Sequence, residues 1–250
     1  MYVFLKKIVR KLFPQKFVFK IEPFLRKGYS LFFIGKKFHC TICEDSFSRF
    51  IHLSAGFSGK NGELLCARCG SLPRDRRLYD LLKIEKLLHG RMLDFSPSRP
   101  LYRKFKKTAG LEYFSSDFAN EFISDYHFDI TGIKQNDNFF DLILCYHILE
   151  HVTDDRKAMS ELLRVLKPGG NLFLQTPFNE GEMIENSAIT TGDERKKYFG
   201  QQDHVRIYSV EGLSERLKQT GFHVKVLQFN EQLNNRSGFS EKEIVLHCKK

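Results

Sequence analysis

Four cysteines in two matched pairs are the first residues of this 250-residue chain whose spacing could do chemistry. Cys40-x2-Cys43 and Cys66-x2-Cys69 stand 22 residues apart. Each CxxC turn lets two sulfurs approach one ion, and two such turns complete a tetrahedral site with Zn–S of about 2.3 Å. Four thiolates leave no open position, so the expected metal is structural; a redox role is the competing chemistry. Cys145 and Cys248 lie in apolar stretches and read as buried small hydrophobes. A second group is built on histidine: His147, Glu150 and His151, then Asp203, His204, Arg206 and Tyr208. Histidine has the unperturbed pKa for base work near neutrality, which makes His147 and His204 the candidate catalytic residues. Asp203 beside His204 gives an acid–base pair, Arg206 a fork for an anionic group and Tyr208 an aromatic surface, together suiting a sugar or sugar phosphate. The competing reading makes Asp203 and Arg206 a structural ion pair. HILEH also matches an inverted zinc-protease pattern, but that pattern needs both histidines on one helix face, and here it follows an apolar strand.

These residues need elements to hold them, and 141–170, DLILCYHILEHVTDDRKAMSELLRVLKPGG, supplies the clearest. Leu142, Ile143, Leu144 and Cys145 form the short apolar run of a strand buried on both faces of a parallel sheet. Thr153, Asp154 and Asp155 offer caps and acids for a first helical turn. Ala158, Leu162 and Leu166, widened by Met159 and Leu163, form a core-facing stripe. Lys167-Pro168-Gly169-Gly170 stops the helix, and NLFLQT (171–176) is the next strand. RMLDF (91–95), LEYFS and YHFDI are further candidate strands, with a helix opening near Pro100. SLPRDRRLYDLLKIEKLL (71–88) reads as a helix on Leu78, Leu81, Leu82 and Leu88, with Arg74, Arg76 and Arg77 on a charged face.

LEHV, the acidic helix start and LRVLKPGG together resemble the class I S-adenosylmethionine-dependent methyltransferases. The run CARCGSLPRDRRLYDLL narrows the likeness to a bacterial subgroup in which a zinc-ribbon-like module precedes the catalytic domain. The resemblance covers roughly residues 38–228. It implies an α/β, Rossmann-like doubly wound sheet, with ligands outside the carboxyl ends of its strands. It also implies S-adenosylmethionine as cofactor, next to structural zinc. By the family's pattern Asp94 lies beside the methionine amino group, Asp117 accepts the ribose hydroxyls, and Asp129 with Ile130 meets the adenine; Ser96 and Tyr146 complete the expected cofactor site. Asp117 has a second reading as a turn or cap residue. The loop after Asp94 departs from the usual glycine-rich form, and Pro97 in it has no N–H to donate. Some quinone-pathway members bind a divalent ion through ExxEH, where His147 here replaces the first glutamate. The insertion 181–200 is expected to form a lid on the acceptor side.

Charge sets the partners. Residues 1–37 carry ten basic residues against Glu22 alone, which leaves about +1 of the chain's net +10 for everything after them. Phe4, Leu5, Ile8, Val9, Leu12 and Phe13 share a helical face opposite Lys6, Lys7, Arg10 and Lys11, as in a helix lying on an anionic membrane. No apolar run approaches the ~18 residues a bilayer span needs, and no cleavable signal is evident. The expected organisation is a basic amphipathic segment (1–37), a zinc-ribbon-like module (38–72) and a methyltransferase domain (73–250). The expected place is cytoplasmic, peripheral at the inner face of the membrane. The expected activity is O-methylation of a glycan, sugar or other small hydroxylated acceptor, in the setting of surface-polysaccharide biosynthesis. Nucleic acid is disfavoured because the charge excess avoids the catalytic domain. The alternatives are an RNA methyltransferase gripping its substrate through the zinc ribbon, and a non-catalytic scaffold.

Overall fold

The computed structural model describes residues 15–53, 63–119, 123–231 and 234–250. The amphipathic face expected over residues 4–13 lies outside them. The chain divides into two compact units, Met1–Leu88 with Pro97–Thr108 and Phe229–Glu243, and His89–Ser96 with Ala109–Gln228 and Ile244–Lys250. No helix among the described residues is long and apolar enough to cross a membrane.

The first unit opens with α1 (Gln15–Ser30), which carries Pro23. Phe24 and Phe32 are 77% and 81% exposed, and Leu25, Leu31 and Ile34 are exposed beside Lys20, Lys27, Lys36 and Lys37. Glu22 is held by Arg26, Arg99 and Arg103. Two short antiparallel pairs follow, β1 (Ile34–His39) with β2 (Ser46–Phe47) and β3 (Ile51–Leu53) with β4 (Glu63–Leu65). Helix α2 (Pro73–Ile84) starts on proline and is closed by Asp75, whose carboxylate accepts the Leu72 N–H at 2.8 Å. Its arginines depart from a solvated face. Arg76 is fully buried, donating to the carbonyls of Ser71, Leu64, Ser237 and Gly238. Arg77 pairs with Glu231 and Glu243 between the rings of Phe229 and Phe239. Of the three, only Arg74 is itself partly exposed, and it pairs with Glu63 at 2.7 Å. The cations tie α2 to segment 229–243 because each guanidinium has enough donors to fill a carbonyl-lined pocket. Helix α3 (Arg99–Phe105) also belongs to this unit.

The second unit is built on one six-stranded sheet. Its strands are β5 (Gly90–Phe95), β6 (Leu111–Ser116), β7 (Phe140–Tyr146) and β8 (Leu166–Gln175), with β12 (His223–Asn230) and β13 (Lys242–Lys249) at one end. The order is β12-β13-β8-β7-β5-β6; β6, β5, β7 and β8 pair in parallel and β13 antiparallel to β8. Helix α4 (Asp155–Val165) follows β7, and Asp154 caps it by accepting the Lys157 N–H at 3.0 Å. Ala158, Met159, Leu162 and Val165 are all 0% exposed in the main core, as the four-residue stripe requires. The strand after the helix begins at Leu166, earlier than Asn171; a register shift between the Phe140 and Leu142 pairings absorbs the Pro168-Gly169-Gly170 turn chemistry. The expected strand 126–130 is absent. It reduces to one parallel bridge, Ser116 to Tyr126, and its apolar residues Phe128 and Ile130 drop into the core. The insertion is ordered: β10 (Ile184–Glu185) pairs with β11 (Arg206–Ser209), which pairs with β9 (Phe178–Asn179), and α5 (Gly192–Phe199) is closed by a Thr191–Glu194 capping box. Helix α6 (Val210–Thr220) completes the unit.

Candidate active site and cysteine centre

β5 is flanked by β6 on one side and β7 on the other, so the chain reverses its direction of travel across the sheet at the β5–β7 gap. Ligand crevices form outside the carboxyl ends of strands at such a point. Asp94 ends β5, 5% exposed, and accepts the Tyr113 hydroxyl at 2.8 Å. Asp117 follows β6 at 2% exposed, and its Oδ1 accepts the Ser96 hydroxyl at 2.7 Å. Its own N–H reaches the Tyr126 carbonyl, and its carbonyl oxygen lies 2.8 Å from His127 Nδ1. The departure from a glycine-rich loop has a structural answer. Ser96 takes φ +48°, the left-handed backbone that a glycine would supply, and its hydroxyl secures the turn to Asp117. Across the gap His147 does likewise at φ +56°, its N–H donating to the Gln175 carbonyl at 2.8 Å. Strained backbone on both sides of one crevice is an observation that points towards function.

The sequence-derived residues divide. Asp94, Ser96, Asp117, Tyr146 and His147 fall at the carboxyl edge of β5, β6 and β7. Beyond them, the Asp129 carboxylate accepts the N–H and hydroxyl of Thr131, both at 2.8 Å, and Ile130 is a core residue. Asp203 does not orient His204. It pairs with His151 Nδ1 at 3.0 Å, while His204 Nδ1 stands 3.2 Å from the Phe199 carbonyl. The rings of His151 and His204 meet edge to face, with centroids 4.7 Å apart. Burial, followed by neighbouring His151, pushes the His204 pKa below its ordinary value. Glu150 is 1% exposed. Burial pushes its carboxyl up, but His147 and His151 outweigh this and leave it below the ordinary value.

Arg206 is not available as an acceptor fork. It is 3% exposed and donates to the carbonyls of Leu149, Val152 and Thr153 and to Glu185. It therefore clamps the Leu149–His151 turn from below. Tyr208 is fully buried with its hydroxyl on Asp155, which Arg216 also binds. The Asp203–Arg206 ion pair is replaced by Arg206–Glu185. Arg206→Ala is expected to cost about 3 kcal/mol, because it strips a buried cation from several acceptors at once; a denaturant midpoint unchanged from wild type would refute the clamp.

The cysteines come together as their spacing requires. Sγ atoms of Cys40 and Cys69 are 3.6 Å apart, and those of Cys43 and Cys66 3.8 Å. A tetrahedron with Zn–S of about 2.3 Å has edges of about 3.8 Å, so the four thiols fit one ion. No disulfide joins them. Cys145 and Cys248 are buried in the core, where burial pushes the Cys248 thiol up to about 12.

The model of a methyltransferase domain matches residues 74–226. The chain belongs to that family. Among curated proteins it is 32% identical over 110 residues to the tRNA U34 carboxymethyltransferase of Wolinella succinogenes, covering 42% of this chain and 38% of that relative. It is also 37% identical over 65 residues to the demethylmenaquinone methyltransferase of Clavibacter sepedonicus, 26% of this chain and 25% of that one. The chain thus spans well under half the length of either relative. In fold it resembles the S-adenosylmethionine-dependent methyltransferase from Mesorhizobium loti, with a TM-score of 0.51 at 13% identity, over 69% of this chain and 97% of that one. The methyltransferase fold, S-adenosylmethionine as the family's donor and the four-cysteine cluster all agree with the resemblance drawn from LEHV and LRVLKPGG. The crevice also fits a polar cofactor. Among the described residues the buried side-chain oxygens without a hydrogen bond include Thr176 Oγ1, next to the end of β8.

Proposed function

We propose that this chain transfers the methyl group of S-adenosylmethionine to an oxygen of an RNA acceptor. The observation that carries the reading is the likeness to a tRNA-modifying enzyme, over a longer stretch than the likeness to the menaquinone enzyme. It weighs against the expectation that nucleic acid is disfavoured. The first unit supports it: Lys20, Lys27, Lys36 and Lys37 stand among exposed Phe24, Tyr29 and Phe32, the mixture of cations and stacking rings that holds single strands.

The bound donor supplies a methyl group already activated on a sulfonium. The protein has to align the acceptor and remove its proton. Asp94 and Asp117 hold the amino and ribose ends of the donor, with Ser96 fixing Asp117. His147, on the far side of the crevice, takes the acceptor proton. The four cysteines hold a structural zinc. Asp117→Ala is expected to weaken S-adenosylmethionine binding by about 1.5–3 kcal/mol, the scale of a hydrogen bond to a charged group. Calorimetry giving unchanged affinity in a folded variant would misplace the ribose acid.

One observation favours a second reading, a small hydroxylated or glycan acceptor met at an anionic membrane. The exposed apolar set Phe24, Leu25, Leu31, Phe32 and Ile34, rimmed by lysines, also suits a bilayer surface. Incubating the full chain with methyl-labelled donor and either total RNA or lipid-linked and free sugars separates the readings. Label that enters RNA and is released by ribonuclease supports the first; label confined to sugars overturns it. The mass of the modified nucleoside distinguishes methyl from carboxymethyl transfer.

A further inference from the structure

Beyond the donor crevice, the second unit holds a cluster to which the proposed function assigns no role. Glu150, His151 and His204 each offer one ligand atom, and these atoms all lie within 4.8 Å of one another. Two come from the turn after β7 and the third from just before β11. Neither oxygen of the buried Glu150 carboxylate accepts a hydrogen bond. His147 Nδ1 stands 3.5 Å from Oε1. A buried carboxylate is costly without partners, so its oxygens point to something that binds there.

The two imidazoles are held in a matching way. His151 Nδ1 is fixed by Asp203 and His204 Nδ1 by the Phe199 carbonyl. That leaves Nε2 of each ring as the free lone pair, the outer-partner arrangement that orients metal-binding histidines. Arg206 fastens the carbonyls of Leu149, Val152 and Thr153, so the turn bearing two of the three ligands is rigid. Donors on one ion at roughly 2.1 Å stand at most about 4.2 Å apart, which a small side-chain rotation would reach.

We propose that Glu150, His151 and His204 bind one divalent transition-metal ion, distinct from the ion of the four cysteines. One carboxylate and two imidazoles suit zinc, manganese or ferrous iron. Three protein ligands leave positions open to water or to an acceptor oxygen, whose proton such an ion would loosen.

The test uses the full chain with its thiol-bound metal in place, titrated with Mn²⁺ alone and with Zn²⁺ alone by calorimetry. Neither donor nor acceptor is present, so the outcome is independent of the functional reading. One saturable site is expected. Glu150→Gln, nearly isosteric, is expected to weaken it at least ~100-fold, and Asp203→Asn, which touches only the His151 ring, ~10–100-fold. If Glu150→Gln fails to fold, Asp203→Asn decides. Absence of a saturable site for both ions, or an affinity unchanged in the folded variants, overturns the proposal.

Discussion

Protein purified without chelator is expected to carry one thiol-bound zinc per chain, and Cys66→Ser to lose at least ~90% of it and to unfold the segment around it. The strands here have two to six residues, too short to be stable alone. A zinc site contributes apparent free energies of about 10–16 kcal/mol to small domains of this kind. Four thiolates around one Zn²⁺ carry a net charge of about −2, and the fully buried Arg76 offsets part of it, its cation favoured by Cys40, Cys66 and Cys69. Burial lowers the Arg76 pKa, and the anionic cluster acts against that loss. The measurement is zinc released by a mercurial, which reads thiol-held metal and not metal on carboxylate and imidazole. Well under one equivalent from a folded sample would contradict the site. Hydrogen exchange on Cys66→Ser should show protection lost across α2 and β4, since Arg76 bonds to the Leu64 and Ser71 carbonyls.

What was legible in the sequence follows a physical divide. Local periodicity and ligand spacing translate directly: Cys40, Cys43, Cys66 and Cys69 converge, and Ala158, Met159 and Leu162 are buried where the helical stripe puts them. Long-range partners do not. Asp203 adjoins His204 in sequence, yet the chain bends at 201–203 ahead of β11, and the acid reaches His151 instead. Arg206 looked like a surface fork because its partners are carbonyls 53–57 residues away, which no side-chain pattern announces. The run 126–130 has strand composition, but it follows a turn and meets β6 through a single bridge. The loss of glycine after Asp94 was visible. That Ser96 would take the left-handed backbone and return its hydroxyl to Asp117 depends on contacts across two strands. Glu150 and His151 next to each other, with a second acid–histidine pair at 203–204, were the signal available for the buried cluster.

His147→Ala is expected to cut turnover by roughly 10²–10⁴ while leaving donor affinity nearly unchanged. The position supports base work: the residue follows β7 directly, its ring is about one-third exposed, and Glu150 Oε1 lies 3.5 Å from Nδ1. Alanine alone would confound two effects, since His147 also adopts φ +56° and an alanine there is strained by about 1–2 kcal/mol. Two further variants separate them. His147→Gly relaxes the backbone and removes the ring; His147→Asn tolerates the left-handed region and keeps a polar side chain that cannot act as a base. A proton-transfer role requires all three to lose turnover alike, with S-adenosylmethionine affinity preserved. A backbone role instead requires His147→Gly to retain turnover near wild type while His147→Ala loses both turnover and stability. Near-full activity in both Gly and Asn variants would remove His147 from the chemistry and leave alignment in the crevice, or the Glu150–His151–His204 cluster, to account for deprotonation.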